Sequence, residues 1–167
     1  MSERSKKIFL YICIIVPFLG YCIFYYSNMI KNAPFRFSDF ESVEFNYGTP
    51  DHMLNKYNSK TQEYQYMNRR DSLVKSTLKL RKDDLLYLHR KATEYGFWNF
   101  PDDMTNKAAG VDTTKNVVRF FLKFNYKEKS KQMLFDSNFD GDPKLTEAAK
   151  TMVSEVRRIL TDAEDRN

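Results

Sequence analysis

The stretch NVVRFFLKFNY, residues 116–126, decides the fold class of this 167-residue chain. Val118, Phe120, Leu122, Phe124 and Tyr126 fall on one side of an extended backbone. Arg119, Lys123 and Asn125 fall on the other, the period of two that a half-buried strand needs. Phe121 interrupts the polar side, so part of that side is expected to be covered.

Toward the C-terminus, Lys127-Glu128-Lys129-Ser130 turns the chain and residues 131–135 return as a second strand. A helix then runs over residues 143–164, with an apolar stripe of Leu145, Ala149, Met152, Val153, Val156, Ile159, Leu160 and Ala163. Toward the N-terminus, residues 102–115 form a polar loop of about fourteen residues. Before it, Leu85, Leu88, His89, Ala92 and Tyr95 recur at three and four, and Asp83 and Asp84 precede His89, Arg90 and Lys91 in the order a helix dipole favours. Gly96 stands where that helix should end, and Phe97, Trp98, Phe100 and Pro101 form an aromatic closure of the core.

Residues 63–68 (EYQYMN) and 73–80 read as a hairpin around Arg69-Arg70-Asp71, with Tyr64 and Tyr66 sharing a face. Residues 42–47 alternate as another strand, closed by the turn chemistry of Gly48-Thr49-Pro50-Asp51. The segment from there to Ser59 has no clear period and is expected to be loop. The element order implies an α+β domain, with an antiparallel sheet of about five strands and two helices on one face.

Ahead of that domain lies IFLYICIIVPFLGYCIFYYSNMI, residues 8–30, without a charged residue and preceded by Arg4, Lys6 and Lys7. As a helix it reaches roughly 34 Å, enough for a hydrocarbon core of about 30 Å. The expectation is a retained single-pass anchor: a basic flank over 1–7, a transmembrane helix over 8–30 with lipid as its partner, a linker over 31–41 and an extracytoplasmic domain over 42–167. The leading positive charges place the N-terminus in the cytoplasm and the domain in the periplasm or outside the cell. Pro17 and Gly20 would kink the span, and Tyr25 and Tyr26 would meet the headgroups. The layout resembles the small uncharacterised single-span cell-envelope proteins of bacteria, through its element order and the helix-to-aromatic passage from Leu85 to Pro101. That resemblance implies an extracytoplasmic setting and no particular reaction.

Charge and cysteine content narrow the function classes. The net charge is +5, but Lys and Arg alternate with Asp and Glu through the domain instead of clustering, so no nucleic-acid footprint is expected. Both cysteines, Cys13 and Cys22, lie in the apolar stretch, leaving the domain without a disulfide framework.

One loop carries a chemical motif. Residues 136–147, DSNFDGDPKLTE, fit the pattern D-x-[DN]-x-[DN]-G-x5-E and are similar to an EF-hand calcium loop. The resemblance implies ligation by the side chains of Asp136, Asn138 and Asp140, by the Asp142 carbonyl and by both oxygens of Glu147, with Gly141 at the sharp bend. Three features depart from it: a strand enters the loop, Pro143 lacks an N–H, and Lys144 adds positive charge. The same residues also suit a plain strand-to-helix turn, with Asp142 as N-cap and Pro143 as first helical residue.

Other constellations are sparse. His52 and His89 have no metal-ligand spacing. Asp51-His52 with Ser59, or Asp102, Asp103 and Asp112, could assemble a hydrolase, yet no nucleophile elbow, phosphate loop or HExxH accompanies them. Tyr47, Tyr64 and Tyr66 could form a stacking platform beside Arg69 and Arg70, or simply face the core. The expected function is a non-enzymatic envelope protein whose domain binds a partner protein. A calcium-binding or calcium-stabilised module and an immunity protein against a toxin are the alternatives.

Overall fold

Phe120, Leu122, Phe124 and Tyr126 share one buried face in the computed structural model, which describes residues 3–31, 35–68, 70–106 and 117–166. They belong to β6 (Arg119–Tyr126), which lies between β1 (Phe40–Thr49) and β7 (Ser130–Asp136) and is antiparallel to both. Register places Val43, Phe45 and Tyr47 of β1 opposite Phe124, Leu122 and Phe120, while Met133 and Phe135 of β7 lie opposite Leu122 and Phe120. Apolar side chains thus meet across adjacent strands, the pairing that stabilises a sheet. Val118 departs from the expected face: it precedes the strand and is 40% exposed, whereas Val117 is buried.

The sheet has seven strands and is mixed, which corrects the expectation of about five antiparallel ones. With β2 (His52–Asn58), β3 (Glu63–Met67), β4 (Leu73–Thr77) and β5 (Asp103–Met104), its order is β4-β3-β2-β1-β6-β7-β5. Strand β2 replaces the loop expected before Ser59. Only Tyr57 in β2 is buried and Leu54 is exposed, so its sequence lacks the contrast that alternation needs. The β1–β2 hairpin forms because Thr49 pairs with His52 across Pro50-Asp51. Gly48 permits that close approach, since a Cβ there would lie against the His52 carbonyl oxygen and 2.9 Å from Met53 Cα. Strand β5 is two residues long and pairs parallel with β7, Asp103 with Leu134 and Met104 with Phe135. Two residues are too few for periodicity to register.

The helices coincide closely with their sequence patterns. In α2 (Lys82–Glu94), Leu88, His89 and Ala92 are buried, and Gly96 takes the left-handed conformation at φ 72°. In α3 (Pro143–Glu164), Ala149, Met152, Val153, Val156, Ile159, Leu160 and Ala163 are buried. Asp142 caps α3, its Oδ1 accepting from the backbone N–H groups of Lys144 and Leu145 at 2.8 and 3.0 Å. His89 of α2 meets Tyr126 of β6, and Arg157 of α3 lies over Tyr47 of β1, so both helices reach the same face of the sheet. Phe97 and Trp98 pack edge-on against Phe124 and close one end of this core.

The N-terminal helix α1 (Glu3–Lys31) belongs to a separate unit, residues 1–35, distinct from the unit Arg36–Asn167. Among the described residues no helix is long and apolar enough to cross a membrane. This corrects the expected transmembrane anchor over 8–30. The single-pass topology and the assignment of cytoplasmic and periplasmic or extracellular sides depended on that anchor and are corrected with it.

Candidate functional site

Helix α3 turns a second, polar stripe toward the sheet. Lys150, Ser154, Arg157 and Thr161 follow one another at intervals of three and four, so they line one edge of the helix beside the buried Val153. Opposite them, the register of three neighbouring strands brings Phe135, Phe120 and Tyr47 into one row. Their rings form a ladder, Phe135 to Phe120 at 6.3 Å and Phe120 to Tyr47 at 6.0 Å, both stacked. Between helix edge and ladder lies a cavity of about 600 Å³, lined by Phe120, Phe135, Ser137, Lys150, Val153, Ser154, Arg157, Arg158 and Thr161.

Charge in this groove is one-sided. Arg158 is committed: it bonds Glu155 at 2.7 Å, Asp162 at 3.4 Å and the Tyr87 hydroxyl at 2.8 Å. That hydrogen bond from Arg158 holds the Glu155 carboxyl below its ordinary range. Arg157 instead lies 5.5 Å above the Tyr47 ring, a cation–π contact, and neither it nor Lys150 has an acidic partner among the described residues. At the far end of α3, Glu164 accepts from the Tyr64 hydroxyl at 3.4 Å, and its bond to Tyr66 pushes that phenol up.

The groove is equipped to bind. Phe120 and Phe135 lie at its base but are 8% and 0% exposed, so what it offers to a partner is chiefly the exposed edge of α3 with its two cations. Two of its three hydroxyls meet the backbone, Ser137 Oγ accepting from the Val118 N–H at 3.2 Å and Thr161 Oγ1 donating to the Arg157 carbonyl at 3.1 Å. No histidine, cysteine or carboxylate lines it to act as base or nucleophile. A second hollow of about 410 Å³, at the other end of β1 and β6, is charge-balanced by contrast, with Glu41, Glu44 and Glu128 beside Lys60, Lys127 and Lys129.

The EF-like loop is built differently from the motif's implication. Asp136 is 2% exposed, and Arg119 grips both its oxygens, Nε to Oδ1 at 2.6 Å and Nη2 to Oδ2 at 3.0 Å. The Asn106 backbone N–H adds a 3.3 Å bond to Oδ2. Asn138 contributes its carbonyl to the Asn106 amide at 2.7 Å, and the Asp140 backbone N–H donates to Asn106 Oδ1 at 3.0 Å. The carboxylate of Asp142 caps α3, and Glu147 is an exposed side chain on the first turns of α3. Gly141 is not in the left-handed region; the Phe139 ring occupies the space where its Cβ would stand. Among the described residues no three His, Cys, Asp or Glu side chains are grouped to hold a metal, and the donor set as arranged does not fit a calcium ion.

The remaining candidates are dispersed. His52 is exposed in β2 and Ser59 Oγ accepts from the Val43 N–H at 2.9 Å. Asp102 pairs with Lys131 at 2.6 Å, Asp103 Oδ1 accepts from the Thr105 hydroxyl at 2.6 Å, and Asp112 lies outside the described residues. Tyr64 and Tyr66 do adjoin, at 5.0 Å, and Tyr57 meets Tyr64 edge-on. Sequence reading misses Lys150, Arg157 and the Phe135–Phe120–Tyr47 row. The i, i+3, i+4 polar spacing on α3 was the available signal, but only strand register shows what it faces. No family model matches the chain, and no curated protein or solved structure matches it.

Proposed function

We propose that the unit Arg36–Asn167 is a non-catalytic binding module whose groove beneath α3 receives a partner protein. One observation carries this reading: the cavity of about 600 Å³ has along its α3 edge two cations, Lys150 and Arg157, that lack an acidic partner among the described residues. Charge of one sign gathered along a hollow favours a partner surface of the opposite sign.

Selection of a displayed random-peptide library on the full chain tests the reading. Ser154 is exposed on the groove wall, so Ser154→Trp should fill the groove without touching the core. Selected peptides should bind the natural chain and lose binding to Ser154→Trp. A set of binders indifferent to that substitution would refute the module.

A further inference from the structure

We infer that α1 is a dimerisation element: it pairs with the α1 of a second copy of this chain along a seam of Ile12, Ile15, Leu19 and Ile23. The inference concerns α1 alone and is independent of the binding-module reading. From Phe9 to Tyr26, thirteen large apolar or aromatic side chains of α1 are each 50% exposed or more. A large side chain presents roughly 150–250 Å² in full, so thirteen at half or more leave on the order of 1,300 Å² open. The largest apolar patch on a monomeric protein is about 300–600 Å². A standard interface covers about 800 Å² on each partner, so one pairing returns α1 to about 500 Å², within that range.

The occupant must be apolar over the same length and must bring no charge into the contact. Residues 8–30 meet both conditions, since they hold no charged residue. Elsewhere among the described residues the exposed large hydrophobics are three, Leu54, Leu73 and Val118. The long apolar surface that this chain can offer to α1 is therefore another α1. Within it, Ile12, Ile15, Leu19 and Ile23 follow at intervals of three, four and four, which keeps them on one side of the helix and gives the aliphatic seam that paired helices interlock. All four are open, at 53%, 50%, 52% and 70% exposure. Pro17 and Gly20 lie away from that side, so neither a kink nor a missing side chain interrupts it. Tyr21 and Tyr25, stacked at 6.0 Å, also lie off the seam and keep their hydroxyls outside the contact.

Sedimentation equilibrium of the full chain tests the inference. At about 20 µM the natural chain should show twice its mass of 19.9 kDa. Leu19→Lys places an unpaired charge in the seam and should weaken the pairing about tenfold or more. Phe24→Lys adds the same charge on the opposite side and should leave it within about twofold. Circular dichroism and melting temperature check that each variant folds as the natural chain does. Two differently tagged copies produced together should co-purify as the natural chain and as Phe24→Lys, and should separate as Leu19→Lys. A monomer at that concentration, equal weakening by the two substitutions, or aggregates without a defined mass overturn the inference. So does a monomeric chain that floats with phosphatidylcholine vesicles, because lipid would then cover α1 in place of a second copy.

Discussion

Arg119 holds Asp136 through two parallel bonds, Nε to Oδ1 at 2.6 Å and Nη2 to Oδ2 at 3.0 Å, across the antiparallel register that joins β6 to β7. The carboxylate is 2% exposed and the guanidinium side chain 20%, so the pair is largely withdrawn from water. Removing one partner therefore leaves a buried charge without compensation. Arg119→Met should lower the unfolding free energy by about 3 kcal/mol in urea titration. Replacing both, as Arg119→Met/Asp136→Leu, should recover most of that loss, because two apolar groups no longer carry a desolvation cost.

His89 makes stability depend on pH. Its ring is enclosed by Phe37, Trp98 and Tyr126, and burial lowers its pKa from the ordinary 6.5. Burial pushes the Tyr126 phenol up, so Tyr126 keeps its proton, and its hydroxyl is hydrogen-bonded to Nδ1 of the neutral ring at 2.8 Å. Below about pH 6.5 the unfolded chain takes a proton that the folded chain refuses, and stability falls as pH falls. The urea midpoint should drop between pH 7 and 5.5, above the range where carboxylates titrate. In His89→Asn that drop should shrink; an unchanged slope would show that His89 is not the group responsible.

How far the sequence discloses this fold depends on length and contrast. The 22 residues of α3 are legible because six turns repeat one stripe, and β6 because buried and part-exposed residues alternate throughout. Strand β2 is illegible because Leu54 faces out and Asn55 shares the Tyr57 side, so its pattern cancels. In β5 two residues carry no period at all. The groove is hidden for a further reason: Phe135, Phe120 and Tyr47 are far apart in the chain, and only pairing of three strands aligns them. Asp136 misleads because a carboxylate that fits a calcium pattern equally fits an arginine on the next strand.

The β1–β2 hairpin offers a sharper local test. Gly48 faces Met53 Cα and the His52 carbonyl, both backbone, so no side-chain rotation can relieve an added methyl. Gly48→Ala should therefore cost about 1–3 kcal/mol by forcing the paired backbone apart. Its amide exchange should accelerate most in β1 and β2, while α3 stays protected.

Asp142 separates the capping role from the calcium role in one residue. As a cap it needs only a side-chain oxygen to accept from the Lys144 and Leu145 N–H groups, at 2.8 and 3.0 Å, and Asn or Ser supplies one. Asp142→Asn should therefore melt within a degree or two of the natural chain, whereas Asp142→Ala should lose about 1 kcal/mol. A calcium loop in this segment would behave otherwise, since millimolar calcium would stabilise the natural chain and chelator would destabilise it. With Asp136 held by Arg119 and the Asp142 carboxylate spent on α3, calorimetric titration with calcium should give no heat and no shift in melting temperature. A saturable heat that Arg119→Met enhances would mean that the ion competes with the guanidinium for Asp136, and would reinstate the metal reading.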